Sequence, residues 1–261
     1  MRILVTGAGS GVGRATAALL SVRGHEVIAT ARDLGALEDL DVSGRLRLDV
    51  TDAQSVSAVR AELGAVDGLV NNAAIAFDGP IENVPVAEVE LMFATNVLGP
   101  VRLIQAFVPA MRERGSGVVV NVSSVAGHVA QPLGGYYAAT KHAIEAISEA
   151  LYFELAHFGV RVVIIEPGFI APGMKEHSTS GGLPVYDELE AQLEKIASAT
   201  QGGPRPGPEI VAEAIADAID SPGGPLRRRV GTDANLTLAA RSSLNDDEFE
   251  AAMRQIVGLT W

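Results

Sequence analysis

The sequence predicts an α/β domain in which a parallel sheet carries helices on both faces. Short β-branched segments alternate with segments of helical periodicity along most of the 261 residues. The segment 117–124, GVVVNVSS, is the kind of continuous apolar run found in a central parallel strand that is buried on both faces. A glycine-rich turn at 6–13 also stands directly between the first strand and the first helix. Together these observations predict a doubly wound sheet.

Seven strands are expected, and helical spacing separates most of them. The strands are predicted at residues 2–6, 25–31, 44–50, 67–71, 117–124, 160–168 and 226–233. The helical segments lie at 14–24, 52–63, 86–114, 136–157, 186–196, 209–219 and 246–257. Neither an internal repeat nor a Pro/Ser-rich linker divides the chain, so residues 1–261 are interpreted as one domain.

Composition and charge narrow the classes of partner. The 20 basic and 32 acidic side chains give a net charge of −12, which repels phosphate backbones and anionic lipid, so no nucleic acid or membrane partner is expected. The chain has no cysteine and starts without an export signal, which favours a cytoplasmic location. The five histidines show no metal-ligand spacing and no nearby carboxylates, so no metal is predicted.

The turn TGAGSGVG at 6–13 is predicted to bind a phosphate group. Glycines let the backbone approach a pyrophosphate, and the N-terminus of the following helix offers free N–H groups and the positive end of its dipole. The first strand-to-helix turn of a doubly wound sheet is the position where such a ligand binds. The residues predicted to contact it are Gly7, Gly9, Ser10, Gly11, Val12 and Gly13.

Further motifs extend this pattern along the chain. TGxxxGxG spacing at 6–13 is followed by NNAA at 71–74, NVLG at 96–99, the pair Tyr137 and Lys141 in YxxxK, and PG at 167–168. In this combination the chain resembles the short-chain dehydrogenase/reductase family, in its short single-domain branch. The resemblance implies a Rossmann-type fold, a nicotinamide cofactor and hydride transfer between that cofactor and a ketone or secondary alcohol.

The resemblance implies four catalytic residues: Asn96, Ser124, Tyr137 and Lys141. Tyr137 and Lys141 stand four residues apart on a predicted helix and therefore share one face. Tyr137 would be the general acid/base, Ser124 would hold the carbonyl oxygen, and Lys141 would also hydrogen-bond the nicotinamide ribose. Tyrosine has a pKa of about 10 in water, and a nearby ammonium together with an oxidised nicotinamide ring is expected to lower the pKa of Tyr137.

Asn96 stands four residues before Pro100 in a predicted helix. Proline has no N–H, so the Asn96 carbonyl loses its usual i+4 donor and the helix should bend there. In the family the asparagine carbonyl holds a water that connects the lysine to a proton relay. An ordinary proline kink with no catalytic role is the alternative.

The resemblance also implies the remaining cofactor contacts. An acid at the end of the second strand usually holds a ribose 2′-hydroxyl, but Ala31 takes that place and Arg32 follows, which favours NADP(H) over NAD(H). Asp33 leaves NAD(H) open, since a shift of one residue would bring it to the ribose. The other residues expected to bind the cofactor are Asp49, Val50, Asn72, Ala73, Ala74, Tyr137, Lys141, Pro167, Gly168 and Ile170.

A hydrophobic carbonyl or alcohol substrate is expected beneath a lid at residues 171–207. Pro172 stands where the family usually has a threonine that contacts the nicotinamide, and Ala74 replaces a family glycine. The lid is rich in apolar residues, although any one of them could equally belong to the core. The predicted pocket residues are Val129, Leu133, Phe169, Met174 and Tyr186.

Two other functions stay open. The first is a catalytically inactive dinucleotide-binding sensor or scaffold of the same fold. The second is a sugar-nucleotide epimerase or dehydratase of the same superfamily, which the 261-residue length and the TGxxxGxG spacing oppose. The resemblance also implies a homodimer or homotetramer formed through the helices at 86–114 and 136–157. The arginine run 227–229 is interpreted as salt bridging or protection of a sheet edge.

Overall fold

The computed structural model describes residues 1–171, 183–198 and 205–261, and also the backbone of 176–178. The strands are β1 (Arg2–Val5), β2 (Glu26–Ala31), β3 (Gly44–Arg47), β4 (Gly68–Asn71), β5 (Ala76–Asp78), β6 (Gly117–Val122), β7 (Val160–Pro167), β8 (Glu176–Ser178) and β9 (Arg227–Val230). The helices are α1 (Gly11–Val22), α2 (Ala53–Leu63), α3 (Val86–Phe93), α4 (Gly99–Arg114), α5 (Gly135–Ala156), α6 (Asp187–Ser198), α7 (Glu209–Asp220), α8 (Thr232–Ser243) and α9 (Asp246–Val257).

Seven parallel strands form the main sheet, in the order β3-β2-β1-β4-β6-β7-β9. The doubly wound α/β prediction is therefore confirmed. The chain moves outward from β1 to β3 and then returns to the other side of β1 with β4. Ligands of such sheets bind at the carboxyl ends of the strands beside this reversal, which here is the space beyond β1 and β4. The short strands β5 and β8 pair separately.

The core has two layers because the side chains of each buried strand alternate between the faces of the sheet. Ile3 and Val5 of β1 pack in a cluster that includes residues of α1 and α7. Leu4, between them, packs on the opposite face with residues of α2, α4 and α5, among them the fully buried Phe107. Burial on both faces explains why these strands read as continuous apolar runs.

Buried amide groups attach α5 to the middle of the sheet. The Asn71 amide donates to Asn121 Oδ1 at 2.8 Å, and the Asn121 amide donates to Ser148 Oγ of α5 at 2.8 Å. The Ser148 hydroxyl donates in turn to the Ile144 carbonyl. Polar groups at such depth are costly unless they are paired, so this chain of hydrogen bonds fixes the position of α5 on β4 and β6.

The last predicted strand is partly wrong. We expected residues 226–233 to be extended, but β9 ends at Val230 and α8 begins at Thr232. Gly231 makes this change of direction with a φ of +105°, a backbone conformation that favours glycine. Helix α8 was not predicted because Ala234 and Leu238 are its buried residues and they give only a weak apolar stripe.

The helical stretch 86–114 is long and apolar enough, by length and composition, to cross a membrane. It comprises α3, a π-helical turn at Ala94–Leu98 and α4. Leu103, Phe107 and Met111 of α4 are nevertheless fully buried against the sheet. A helix that packs in a protein core passes the same compositional test, so this stretch is no evidence for a membrane span.

Candidate active site

The glycine turn between β1 and α1 is closely packed at two positions. Gly7 has a φ of +67°, and a Cβ there would lie 2.9 Å from Ala73 Cα. A Cβ on Gly13 would overlap the Gly7 carbonyl oxygen and the Asn72 side-chain amide. Gly11, at the first position of α1, has a φ of +53°. The turn thus needs glycine both for its backbone angles and for its contact with the segment after β4.

Thr6 and Asn72 hold this turn against β4. The Thr6 hydroxyl accepts from the backbone N–H groups of Asn72 and Ala73 at 3.0 and 3.1 Å. The Asn72 amide donates to the Thr6 carbonyl at 2.9 Å. Ala74 does not have a positive φ, since Leu133 is the one non-glycine residue with that conformation in the described part of the chain. The replacement of the family glycine by Ala74 is therefore tolerated.

The end of β2 determines which residue can face the adenosine ribose. Ala31 is the last residue of β2, and Arg32 follows with an exposed side chain. Asp33 caps a short 3₁₀ turn, where its Oδ1 accepts from the Gly35 N–H at 3.0 Å. The Asp33 carboxylate thus has a local structural partner.

Asp49 and Val50 follow β3, which ends at Arg47, three residues earlier than expected. Asp49 Oδ1 accepts from the backbone N–H and the hydroxyl of Thr51 at 2.9 and 2.7 Å. Burial opposes ionisation of Asp49, but these hydrogen bonds and the charge of Arg32 outweigh it and lower the pKa of Asp49. Asp49 is therefore an ionised acceptor beside the predicted adenine position.

Ser124, Tyr137 and Lys141 lie together at the carboxyl end of β6. Ser124 begins a 3₁₀ turn at Val125–Gly127 and accepts from the Ala126 N–H at 3.1 Å. Its hydroxyl donates to the Pro167 carbonyl at 3.5 Å, and its proximity to the phenol lowers the pKa of Tyr137. The Lys141 ammonium lies 5.5 Å from the centre of the Tyr137 ring and donates to the Val122 carbonyl at 2.8 Å. The i, i+4 spacing on α5 thus places phenol and ammonium on one face.

The protein's own groups move the pKa of Tyr137 opposite to our expectation. Burial raises the pKa of Tyr137 to about 12, and the charge of Asp78 adds to the increase, although the hydrogen bond with Ser124 opposes it. Burial also lowers the pKa of Lys141 to about 8, against the opposing charge of Glu145. Lys141 remains mostly protonated at neutral pH, and the net shift of the Tyr137 pKa is nevertheless upward because burial is its largest cause.

Asn96 lies in the π-helical turn at Ala94–Leu98 and is almost fully buried. Its amide donates to the Ile75 carbonyl at 2.8 Å and to Thr140 Oγ1 at 3.1 Å, and its Oδ1 accepts from the Ile75 N–H at 2.9 Å. Thr140 stands between Tyr137 and Lys141 on α5, so the Asn96 side chain connects the segment after β4 to the helix that carries both residues. Pro100 cannot donate to the Asn96 carbonyl, which agrees with a wide turn at this point.

The turn after β7 is attached to β9 and α8. The Gly168 N–H donates to the Val230 carbonyl at 2.9 Å, and the Phe169 N–H donates to Asp233 Oδ2 at 2.7 Å. A Cβ on Gly168 would overlap the Asp233 carboxylate, which explains the glycine. Ile170 packs partly against the core. Sequence reasoning missed Asp233, because its role depends on the unpredicted helix α8.

The predicted pocket residues are only partly brought together. Leu133, with a φ of +64°, accepts from the Gly79 N–H, and Val129 continues the turn that begins at Ser124. Phe169 is 56% exposed, and the Arg205 guanidinium lies 5.0 Å from its ring centre. Tyr186 contacts Glu82 and Trp261 instead. Met174 lies outside the described residues, as does Pro172.

Tyr186 contacts the carboxyl terminus of the chain. Its hydroxyl donates to Glu82 at 2.9 Å, and its ring lies 6.1 Å from the ring of Trp261. Gln192 of α6 exchanges two hydrogen bonds of 3.0 Å with Thr260. The final residues therefore pack on the segment predicted to cover the substrate.

One expectation about histidines is wrong. His128 Nε2 lies 2.8 Å from Glu166 Oε1 and 3.7 Å from Glu145 Oε2, so it does have carboxylates nearby. These residues are 17 to 38 positions apart in the chain, and no local pattern connects them. The arginine run 227–229 takes part in salt bridges, as predicted, because Arg227 forms ion pairs with Glu145 and Glu149.

Comparisons with known proteins identify relatives over nearly the whole chain. The family profile described as short chain dehydrogenase matches residues 1–181. A 3-ketodihydrosphingosine reductase of Bacteroides thetaiotaomicron is 32% identical over 262 residues, covering 97% of this chain and 96% of the relative. A crystal structure of a short-chain dehydrogenase from Streptomyces avermitilis is 37% identical with a TM-score of 0.84, covering 98% and 97% of the two chains. The closed form of serine dehydrogenase complexed with NADP⁺ is 31% identical with a TM-score of 0.69, covering 82% and 87%.

Proposed function

This chain belongs to the short-chain dehydrogenase/reductase family, and on that premise we propose that it transfers hydride between NADP(H) and a hydrophobic ketone or secondary alcohol, with Tyr137 as general acid/base. The observation that carries the proposal is the placement of the Lys141 ammonium 5.5 Å from the centre of the Tyr137 ring, with Ser124 close enough to the phenol to lower its pKa. This arrangement stands at the carboxyl end of β6, two strands from the glycine turn.

Reduction of a ketone places negative charge on the carbonyl oxygen as hydride arrives at carbon. Ser124 would donate a hydrogen bond to that oxygen, and Tyr137 would deliver the proton. Bound nicotinamide supplies the hydride and, when oxidised, a positive charge that favours the phenolate. Since the protein's own groups hold the pKa of Tyr137 at about 12, that charge is the contribution needed to bring the phenol into a working range.

Asn96 and Lys141 would supply the path for proton exchange. Lys141, held on the Val122 carbonyl, can bind the nicotinamide ribose and pass a proton toward Tyr137. The Asn96 carbonyl, which accepts no hydrogen bond from Pro100, would hold the water that continues this path. The hydrogen bonds of the Asn96 side chain to Ile75 and Thr140 would fix the position of this carbonyl.

A preference for NADP(H) is supported by the end of β2. The position that usually carries the ribose-binding acid is Ala31, and the exposed Arg32 can pair with a 2′-phosphate. Asp33 is engaged in capping its own turn. Asp49, Val50 and the backbone from Asn72 to Ala74 would contact the adenosine, while Pro167, Gly168 and Ile170 would support the nicotinamide.

An apolar substrate is proposed because Val129 and Leu133 follow the turn that begins at Ser124, and Phe169 stands two residues after Pro167, whose carbonyl accepts from Ser124 Oγ. The segment 171–207 would cover it. Exposed apolar side chains on the long helices, among them Leu98 and Phe153, support a homodimer or homotetramer. A cytoplasmic location remains our expectation.

The test is NADPH oxidation with a panel of hydrophobic ketones, comparing wild type with Tyr137→Phe. Loss of the phenol should lower kcat by roughly 10²–10⁴-fold, because a general acid contributes about that much, while the Kd for NADPH stays within about twofold. Tyr136→Phe is the matched control, since that hydroxyl donates to the Ile81 carbonyl and should be dispensable for turnover.

Two outcomes would contradict the proposal. Substantial activity in Tyr137→Phe would remove Tyr137 from the reaction. Tight NADPH binding without turnover of any ketone in the panel, or of the corresponding alcohols with NADP⁺, would favour a nucleotide sensor that has kept the fold.

A further inference from the structure

A cluster of charged side chains, two of them buried carboxylates, lies behind the catalytic residues, and we define it as His128, Glu145, Glu166 and Arg227. Glu166 is 1% exposed and Glu145 is 5% exposed. Arg227 Nε donates to Glu145 Oε2 at 2.9 Å and lies 3.5 Å from Glu166 Oε1, while His128 Nε2 is 2.8 Å from Glu166 Oε1. Because ionised groups at such depth are costly, this charge cluster needs an explanation beyond stability.

Each member of the charge cluster is attached to a different part of the candidate site. His128 follows the 3₁₀ turn that starts at Ser124, and Glu145 stands one helical turn after Lys141 on α5. Glu166 immediately precedes Pro167 and Gly168 in β7. Gly127, between Ser124 and His128, leaves room for this packing, because a Cβ there would lie 2.8 Å from both Glu145 Cγ and Ser123 Oγ.

The charge balance depends on His128. Arg227 also pairs with Glu149, and Arg229 lies 3.8 Å from Glu166 Oε2. Within the described residues, Glu145 Oε1 and Glu166 Oε2 are buried without a hydrogen-bond donor. A neutral His128 would leave these two carboxylates with too little positive charge. Arg227 Nε, 2.9 Å from Glu145 Oε2 and 3.5 Å from Glu166 Oε1, is a cation that both carboxylates already contact.

We propose that His128, Glu145 and Glu166 are positioning residues: the protonated imidazole locks the Ser124 turn to α5 and to the turn after β7, and its deprotonation releases that lock. The inference rests on the proposed function. It predicts a loss of productive alignment between Ser124 and Tyr137 as the pH rises, without a loss of cofactor binding.

The direction of the pH effect follows from the groups around the imidazole. The hydrogen bond to Glu166 raises the pKa of His128; burial and the charge of Arg227 oppose the increase, and the charges of Glu145 and Glu166 add to it. The other charged groups beside the cluster are Arg229 of β9, 3.8 Å from Glu166 Oε2, and Glu149 of α5, which pairs with Arg227. A raised pKa means that the protonated form stabilises the fold at low pH, and that this contribution is lost as the pH rises through the raised value.

The experiment compares wild type with His128→Gln, His128→Arg and the control His142→Gln. His142 lies on α5 and hydrogen-bonds only its own helix at Ala138. We expect kcat for ketone reduction at pH 7 to fall about 5- to 20-fold in His128→Gln, with the Kd for NADPH unchanged. His128→Arg, a permanent cation, should keep most of the activity at pH 7 and lose the transition in kcat that deprotonation of His128 causes in wild type.

NMR titration of the His128 ring and Tm as a function of pH provide readouts that need no turnover. The proposal expects the His128 pKa above 6.5 and a Tm difference between wild type and His128→Arg that grows as the pH rises. A His128 pKa at or below 6.5, or a wild-type pH profile retained by His128→Arg, would overturn it. If wild type has no activity, the titration still decides the charge state of His128, and the proposed function fails separately.

Discussion

At the carboxyl ends of the strands, the two halves of the sheet hold the residues of the candidate site by different kinds of contact. On the half formed by β1, β2 and β4, glycines and neutral hydrogen bonds from Thr6 and Asn72 hold the backbone. On the half formed by β6, β7 and β9, buried ionisable groups hold it, with Lys141 and Glu166 as examples. Close approach to a phosphate requires the absence of side chains, whereas proton transfer requires groups whose pKa the surroundings can change.

The largest effect on the half formed by β1, β2 and β4 is expected from Gly13→Ala. The new methyl group would overlap the Gly7 carbonyl oxygen, so we expect NADPH affinity to fall tenfold or more and the free energy of unfolding to fall by about 1–3 kcal/mol. Gly223→Ala is the matched control, because its Cβ meets open space. Fluorescence titration with NADPH and thermal unfolding measure both effects. Equal behaviour of the two variants would contradict the idea that close packing fixes the turn.

A smaller effect on the same half is expected from Arg32→Ala. Without the guanidinium, the ratio of kcat/KM for NADPH to that for NADH should fall about tenfold, because charge-assisted contacts to the 2′-phosphate are lost. Arg23→Ala, which removes an arginine paired with Asp217 and Asp220, should leave the ratio unchanged. A wild-type preference for NADH would reverse the assignment.

The smallest effect is expected on the pKa of Tyr137, beside the half formed by β6, β7 and β9. The negative charge of Asp78 contributes to the raised pKa of Tyr137, so Asp78→Asn should favour the phenolate. In alcohol oxidation, which needs the phenolate as base, the rising limb of the pH profile should move to lower pH by less than about one unit, because solvent screens a single charge. Glu113→Gln, at the exposed end of α4, serves as control. A shift toward higher pH would contradict the assigned direction.

The fold was predictable because its signals are local. Apolar runs, the cap at Asp52 and the glycine turn lie within a few residues of the structures they specify, and α2 and α9 begin and end close to where spacing placed them. Helix α8 was missed because its small residues and two buried side chains resemble a loop. The early end of β3 also could not be foreseen, since Asp49 turns the chain through its bonds to Thr51.

In the candidate site, too, some features were predictable from the sequence and others were not. The identities of Ser124, Tyr137 and Lys141 follow from a motif, but the direction of the Tyr137 pKa shift does not, because it depends on how deeply the fold buries the phenol. The charge cluster joins residues from four separate elements, and the sequence indicated only that its arginine would form salt bridges, not which carboxylates and histidine it would meet. Asp233 is similar, since its contact with Phe169 exists only once β9 and α8 are in place.

The contact between Tyr186 and Trp261 gives this chain a built-in optical reporter. Trp261 is the one tryptophan in the sequence, so its emission comes from a single place without any label. Through Gln192 and Thr260 that place is coupled to α6, and reduced nicotinamide absorbs where indole emits. Stopped-flow emission recorded while ketone and NADPH are added would therefore report any change at the contact between α6 and Trp261 on the time scale of NADPH oxidation.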